Sequence, residues 1–214
     1  MTNRLAAVWD DTSPPHIILP DLRGRTALVT GASQGIGKAV AKALCAHETH
    51  CFGIANGGFE AQPAPFLTPI ACDLRDPASI RAAVNDVEEQ VGALDYVVNV
   101  AGVDPKYAIE AGDDAVWDSV VDLNVRAYYL VIRACLPLLR RGQGRSIVNL
   151  SSINYALGIV GRSIYSTSKA AILGLTTGMA RELGQEGIRI NTVSPRLGVH
   201  RTPDQRIFRR SGGR

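Results

Sequence analysis

The segment Thr30-Gly31-Ala32-Ser33-Gln34-Gly35-Ile36-Gly37 is rich in glycine and is the strongest indication of the chain's architecture. It lies between a short apolar run, Ala27 to Thr30, and a segment whose apolar residues recur at helical spacing, so it predicts a turn joining a buried strand to a helix. Gly31 suits a tight turn, Gly35 allows close approach of the backbone to a phosphate, and Gly37 allows close packing. The free amides at the helix start favour an anion. Alone, such a turn is a weak signal, but its context favours a dinucleotide site.

On both sides of this segment, short apolar runs alternate with helical patterns along the chain. This alternation predicts an α/β protein: a Rossmann-type doubly wound parallel sheet of about six strands with helices on both faces. The predicted strands are 27–30, 50–55, 70–72, a segment within 94–100, 146–150 and 189–193, and the predicted helices are 36–46, 77–91, 113–139 and 165–183.

The 214 residues fit one domain with short extensions. We expect an N-terminal extension over 1–21, a dinucleotide-binding catalytic domain over 22–195 and a basic tail over 196–214. The tail carries six arginines against one acid and has one aromatic residue, which is not a nucleic-acid-reading surface. We therefore expect no nucleic-acid partner.

Two further patterns bear on location and metals. No apolar run approaches the roughly 20 residues that span a bilayer, and the N-terminus has no signal-type core. We therefore expect a cytoplasmic protein without a membrane partner. The four cysteines show no Cys-x-x-Cys spacing and the four histidines are scattered. We expect reduced, buried cysteines and no metal site.

Tyr165 and Lys169 are four residues apart on one predicted helix, and Ser152 lies thirteen residues upstream at the end of a strand. A nearby ammonium favours a tyrosinate and makes the phenol a usable general acid or base. Ser152 could hydrogen-bond a substrate oxygen. Tyr-x-x-x-Lys alone is common by chance, and an ordinary helix surface is the alternative.

Polar residues at strand ends extend this picture. Asn124 interrupts a helical pattern and either holds a proton-relaying water or is an ordinary buried amide. Asn99 and Gly102 follow the fourth strand. Asp73 either accepts from an adenine amino group or is a loop aspartate. Asn56 stands where an acid would favour NAD, so NADP is weakly favoured.

These motifs resemble those of the short-chain dehydrogenase/reductase superfamily over residues 22 to about 195, including Asn99-Val100-Ala101-Gly102. The resemblance implies a Rossmann fold, an NAD(P)(H) cofactor, hydride transfer between a secondary alcohol and a carbonyl, and assembly as a homodimer or homotetramer. It implies catalytic roles for Asn124, Ser152, Tyr165 and Lys169. It implies cofactor contacts from Gly31, Ser33, Gln34, Gly35, Ile36, Gly37, Asn56, Asp73, Leu74, Asn99, Ala101, Gly102, Tyr165, Lys169 and Pro195.

Three departures from the family pattern open an alternative. Val100 replaces an asparagine, Arg196 replaces a glycine after Pro195, and 196–214 would stand in place of the usual lid and last strand. The alternative is a truncated dinucleotide-binding homologue with little turnover, acting as an interaction or regulatory module. A non-redox enzyme built on the same site is a third hypothesis. Position alone suggests that the substrate pocket is lined by Asn154, Leu157, Val160 and Leu197.

Overall fold

A six-stranded, wholly parallel sheet organises the protein in the computed structural model, which describes residues 19–59 and 65–196. The strand order is β3-β2-β1-β4-β5-β6, which confirms the predicted doubly wound sheet. The strands are β1 (Thr26–Thr30), β2 (His50–Ala55), β3 (Leu67–Ala71), β4 (Tyr96–Asn99), β5 (Ser146–Leu150) and β6 (Arg189–Val193).

Helices follow β1, β3, β4 and β5 in the chain, whereas none is described between β2 and β3. They are α1 (Gly35–Ala46), α2 (Pro77–Val91), α3 (Asp114–Val121), α4 (Ala127–Arg141), α5 (Asn154–Leu157) and α6 (Ser163–Gly184), with 3-10 turns at Pro20–Leu22 and Ile109–Ala111 and a π-helical segment, Asp122–Arg126, between α3 and α4. The sequence predicts the bounds of β2, β5, β6 and α2 to the residue.

Both faces of the sheet carry helices. Leu28, Val97 and Ile147 are neighbours in register and belong to the large core formed with α2, α4 and the end of α6. Val29 and Val98, one position further along, pack against α1 on the other face, as the two-residue period of a strand requires.

Strand β3 begins earlier than the sequence predicts. The strand begins at Leu67 rather than at residue 70, and Pro69 lies inside it, paired in register with Gly53. Because β3 is the edge strand, it has one ladder to satisfy, and a proline without an N–H is tolerated there.

The long helix predicted over 113–139 is interrupted, as proposed for Asn124, by the π-helical segment. The apolar residues Val121, Val125 and Tyr129 of the predicted helix recur at four-residue spacing, which predicts that Tyr129 is buried. This prediction is wrong: Tyr128 is buried, at 1% exposure, and Tyr129 is 45% exposed. The buried face runs through Val120, Asn124 and Tyr128, again at four-residue spacing.

The predicted N-terminal extension, 1–21, contacts the domain through its last residues. The Leu19 amide donates to His47 Nδ1 at 3.3 Å, and the Tyr96 hydroxyl donates to the Asp21 carbonyl at 3.2 Å. Residues 1–18 lie outside the described residues, as does nearly all of the predicted tail, 197–214.

Candidate functional site

A cleft of about 780 Å³ opens at the carboxyl ends of the strands. It lies where the strand order reverses between β1 and β4, the switch point at which open α/β sheets bind ligands. The residues lining it are Gly31, Ser33, Gln34, Gly35, Ile36, Gly37, Ala55, Asn56, Gly57, Gly58, Cys72, Asp73, Leu74, Arg75, Val100, Ala101, Gly102, Val103, Asp104, Leu123, Leu150, Ser151, Ser152, Tyr165, Lys169 and Pro195.

The cleft brings together most of the predicted site. Ser152, Tyr165 and Lys169 line it, together with every predicted cofactor residue except Asn99. Asn124 also lies outside its wall. The glycine turn and the tyrosine–lysine helix, 130 positions apart in the chain, therefore face one space.

Two glycines of the turn have no room for a side chain. Gly31 has φ +69°, and a Cβ there would lie 3.0 Å from the Ala101 Cα. A Cβ on Gly37 would lie 2.1 Å from the Gly31 carbonyl oxygen. A side chain at Gly37 would clash with the backbone, and one at Gly31 would be both crowded and strained by its positive φ.

The start of α1 fits a phosphate group. Its N-cap, Gln34, makes no side-chain capping bond, whereas Asp76 and Asp113 cap α2 and α3. Among the described residues, no side chain accepts a hydrogen bond from the amides of Gly35, Ile36 or Gly37, and these amides lie at the positive end of the helix dipole. Gly35 has φ +54°, and nothing lies within 4 Å of a Cβ built there, so the backbone is open to a ligand. These features fit a pyrophosphate.

At the far end of the cleft lie Asn56, Asp73 and Arg75. The Asp73 carboxylate accepts from the Arg75 amide at 3.0 Å, and the cap of α2 is Asp76. Asp73 is thus a loop residue that also lines the cleft. Arg75 was not predicted; the signal that could have identified it is a cation two residues after Asp73, the acid that follows β3.

At the other end, Ser152, Tyr165 and Lys169 are buried, with exposures of 4%, 9% and 4%. Two cations flank the tyrosine: Lys169 Nζ and Arg162 Cζ each lie 5.9 Å from the centroid of its ring. Arg162 is also ion-paired with Asp104. Lys169 is therefore the cation near this ring that no carboxylate of the described residues pairs with.

The Lys169 amine is held by backbone and by a second phenol. Its Nζ donates to the Leu150 carbonyl at 2.9 Å and to the Tyr128 hydroxyl at 3.4 Å. Burial lowers the pKa of Lys169 to about 8. The amine therefore carries its charge at neutral pH and loses it on mild alkalinisation.

Helix α6 is fixed to the sheet near the site by serine hydroxyls. Ser151 donates to the Lys169 carbonyl at 2.7 Å, and Ser166 donates to the Asn154 carbonyl at 3.2 Å. Ser168 donates to the Tyr165 carbonyl at 2.7 Å. The Ser168 bond lies within α6, whereas the other two join α6 to the end of β5 and to α5 and so restrain where the tyrosine and lysine of α6 lie.

Asn124 acts on the loop after β4. Its Oδ1 accepts from the Val103 amide at 2.8 Å, and its Nδ2 donates to the Val103 carbonyl at 2.9 Å and to Ser168 Oγ at 3.0 Å. A Cβ on Gly102 would lie 3.0 Å from this Oδ1. The side chain thus holds the cleft wall against α6.

Asn99 is a sheet residue. Its Nδ2 donates to Asn149 Oδ1 at 3.0 Å, while its own Oδ1 is buried without a hydrogen-bond partner among the described residues. Asn149 in turn donates to Thr176 on α6 at 3.0 Å. The side chain joins β4 to β5 and does not reach the cleft.

A second cavity, of about 260 Å³, adjoins the first at Tyr165, which lines both. None of the described residues that line it carries a charged side chain. Its walls are Pro105, Tyr107, Ala108, Ile109, Gly112, Trp117, Gly161, Ser163, Ile164, Tyr165 and Thr167. The suggested substrate residues Asn154, Leu157 and Val160 line neither cavity, and Leu197 lies outside the described residues.

The cysteine prediction is confirmed: Cys45, Cys51, Cys72 and Cys135 are free and buried. Within residues 19–59 and 65–196, no cluster of three or more potential ligand side chains could hold a metal ion. Over the same ranges, no helix is long and apolar enough to cross a membrane.

Comparison with known proteins identifies the class. The family model for short chain dehydrogenase matches residues 25–206. A probable galactose dehydrogenase of Rhizobium meliloti is 34% identical over 192 residues, which cover 85% of this chain and 74% of that protein. A 3-oxoacyl-[acyl-carrier-protein] reductase of Vibrio harveyi is 32% identical over 180 residues, covering 82% and 74%.

Solved structures agree. The ligand-free aldohexose dehydrogenase of Thermoplasma acidophilum superimposes with a TM-score of 0.77 at 30% identity, covering 83% of this chain and 68% of that one. The chain belongs to the short-chain dehydrogenase family of oxidoreductases, whose members in general use NAD(P)(H) and small-molecule substrates. The relatives are named as dehydrogenases and reductases, which does not favour the binding-module alternative.

Proposed function

We propose that this chain is an NAD(P)(H)-dependent oxidoreductase that interconverts a secondary alcohol and a carbonyl, with Tyr165 as general acid and base. The observation that carries the proposal is the shared cleft. The uncapped start of α1 and the buried group of Ser152, Tyr165 and Lys169 line opposite ends of one space. A site built only to hold a nucleotide has no use for a phenol flanked by two cations.

Each residue has a distinct part in the proposed reaction. The bound nicotinamide supplies or accepts hydride. In reduction, Ser152 steadies the substrate oxygen by a hydrogen bond, and Tyr165 donates its hydroxyl proton to that oxygen. Lys169 and Arg162, each 5.9 Å from the ring centroid, stabilise the negative charge left on the tyrosine. In oxidation the proton returns from the alcohol to Tyr165.

NADP(H) is the cofactor that the far end of the cleft favours. Asn56 presents no carboxylate to repel a 2′-phosphate, and Arg75 lines the same end of the cleft. An arginine fork suits a phosphate group in that place. Asp73 remains the proposed acceptor for the adenine amino group.

The second cavity suggests the substrate's character. Because Tyr165 lines both cavities and the described residues around the smaller one are uncharged, we propose that the smaller cavity receives an uncharged apolar or aromatic substituent of the carbonyl compound. A carbonyl panel that contrasts alkyl and aryl ketones with sugars tests this: a preference for sugars contradicts it. A cytoplasmic location and a homodimeric or homotetrameric assembly stay predictions from the sequence.

The decisive experiment compares Tyr165→Phe with Tyr155→Phe, a control on an exposed tyrosine outside both cavities. We expect Y165F to lower kcat/KM by at least about 100-fold, the usual contribution of general acid–base catalysis. Its NADPH dissociation constant, measured by fluorescence, should stay within about threefold, and Y155F should match the unaltered protein in both measurements. Full turnover by Y165F would refute the assignment, and nucleotide binding without turnover in the unaltered protein would support the binding-module alternative.

A further inference from the structure

Tyr128 is a buried phenol that none of the preceding roles uses. It lies at the start of α4, is 1% exposed and lines neither cavity. Its hydroxyl donates to the Leu150 carbonyl at 3.3 Å and accepts from Lys169 Nζ at 3.4 Å. The Lys169 ammonium also lies 5.3 Å from the centroid of the Tyr128 ring. An ordinary core position needs neither a hydroxyl nor a neighbouring cation.

The hydrogen-bond count at Lys169 shows what Tyr128 supplies. An ammonium has three N–H donors. Two are satisfied by the Leu150 carbonyl and the Tyr128 hydroxyl. Among the described residues the third has no acceptor, and Lys169 lines the cleft. Tyr128 and Leu150 together hold the amine from the protein side and leave one donor for the cleft.

We propose that Tyr128 is a positioning residue for Lys169: its hydroxyl and ring face hold the ammonium charged and in place beside Tyr165. The proposal rests on the proposed function for its catalytic meaning, but the contact itself does not depend on turnover. The hydroxyl solvates a cation that burial would otherwise tend to discharge, and the ring face adds a cation–π attraction.

The neighbouring charges are consistent with this role. Burial, and then the nearby Tyr165, raise the pKa of Tyr128, so its hydroxyl stays protonated and donates to Leu150. Burial alone accounts for the lowered pKa of Lys169, with no carboxylate of the described residues contributing. The next charged pair, Arg162 with Asp104, lies by the Tyr165 ring. Neutral groups therefore support the charge of Lys169.

Tyr128 shares a buried helix face with Asn124. Val120, Asn124 and Tyr128 follow one another at four-residue spacing and are all buried, whereas Tyr129 is exposed. The face that holds Asn124 against α6 therefore also presents the second phenol to Lys169.

Cofactor-free protein offers a direct test, because the chain has only four lysines: Lys38, Lys42, Lys106 and Lys169. In protein labelled with ¹³C-lysine, the Lys169 side-chain signal, assigned by its loss in Lys169→Met, is followed by NMR against pH. We expect a midpoint of about 8 in the unaltered protein. Tyr128→Phe keeps the ring but removes the hydroxyl, and should lower the midpoint by about one pH unit. Tyr129→Phe, the matched control, should leave it unchanged.

The pH profile of kcat/KM gives a second readout that a purely structural role would not move. Its alkaline limb should shift to lower pH by the same amount in Y128F and stay in place in Y129F. An unmoved Lys169 midpoint in folded Y128F overturns the proposal. If the unaltered protein shows no turnover while the midpoint still moves, the proposed function fails and the contact stands.

Unaltered protein alone can also decide, should Y128F not fold. The ammonium protons of Lys169 should exchange with water more slowly than those of the exposed Lys42 in ¹H–¹⁵N spectra. Exchange as fast as that of Lys42, with an ordinary titration midpoint, overturns the proposal.

Discussion

Replacing Gly35 with alanine separates the ligand-binding role of the glycine turn from its structural role. Gly35 has φ +54°, and nothing lies within 4 Å of a Cβ built there. Gly92, which ends α2, has φ +67° and is equally open. It lies just before β4, at the amino-terminal ends of the strands and away from the cleft. Gly92→Ala is therefore a control with the same backbone strain and no contact with the cleft.

The two substitutions should lower the free energy of unfolding by similar amounts. A left-handed conformation costs a non-glycine residue roughly 1–2 kcal/mol, and neither position adds a clash. For a domain of this size, that cost lowers Tm by about 2–8 °C. In Gly35→Ala, however, the methyl group projects where the amides of α1 would meet a phosphate. Losing one charge-assisted hydrogen bond, at about 1.5–3 kcal/mol, weakens nucleotide binding by roughly 10- to 150-fold.

Urea unfolding and NADPH fluorescence titration of both variants test this reasoning. We expect equal losses of unfolding free energy, and weakened binding in Gly35→Ala alone. Unchanged affinity in Gly35→Ala would show that the turn does not hold the pyrophosphate. Equal loss of affinity in Gly92→Ala would mean that general destabilisation, rather than contact with the ligand, controls binding.

Three further outcomes are expected. Asn124→Ala, which removes three hydrogen bonds to Val103 and Ser168, should lower the unfolding free energy in urea by about 2–3 kcal/mol; an unchanged value contradicts the clamp. Arg75→Gln should raise the NADPH dissociation constant about tenfold and spare NADH, in parallel titrations; equal effects on both cofactors contradict the 2′-phosphate site. Burial opposes ionisation of Asp95, but N–H bonds from its backbone neighbours hold its pKa below the usual value. Ionised Asp95 therefore stabilises the fold above pH about 4, and this stabilisation is lost as the pH falls further. We expect the free energy of unfolding of Asp95→Asn to be about 1–3 kcal/mol lower than that of the unaltered protein at pH 7, and this difference to disappear towards pH 3.

The sequence predicts the fold well where hydrophobic periodicity agrees with the glycine, proline and asparagine residues that begin or end an element. Strand β2 ends before Asn56-Gly57-Gly58, and α2 is bounded by Pro77 and Gly92, so their limits are predicted to the residue. Periodicity is less decisive where apolar residues occupy two adjacent helix faces. Val121, Val125 and Tyr129 recur at helical spacing, but the structure buries Val120, Asn124 and Tyr128, one position earlier.

The residues of the candidate site also fall into two groups, those that the sequence identifies and those that it does not. Local motifs identify Gly31, Gly37, Tyr165 and Lys169 because their spacing is set within one turn or one helix. Contacts between distant segments, such as Tyr128 with Lys169, depend on how helices pack on the sheet. The spacing of residues along the chain does not indicate these contacts.

A crystal structure of the protein with NADP⁺ tests the central claim most directly. We expect the pyrophosphate on the first amides of α1, the 2′-phosphate near Arg75, and the nicotinamide ring beside the Tyr165 hydroxyl with Lys169 in contact with its ribose. A nucleotide bound outside the cleft, or a nicotinamide ring with no contact to Tyr165, would contradict the account.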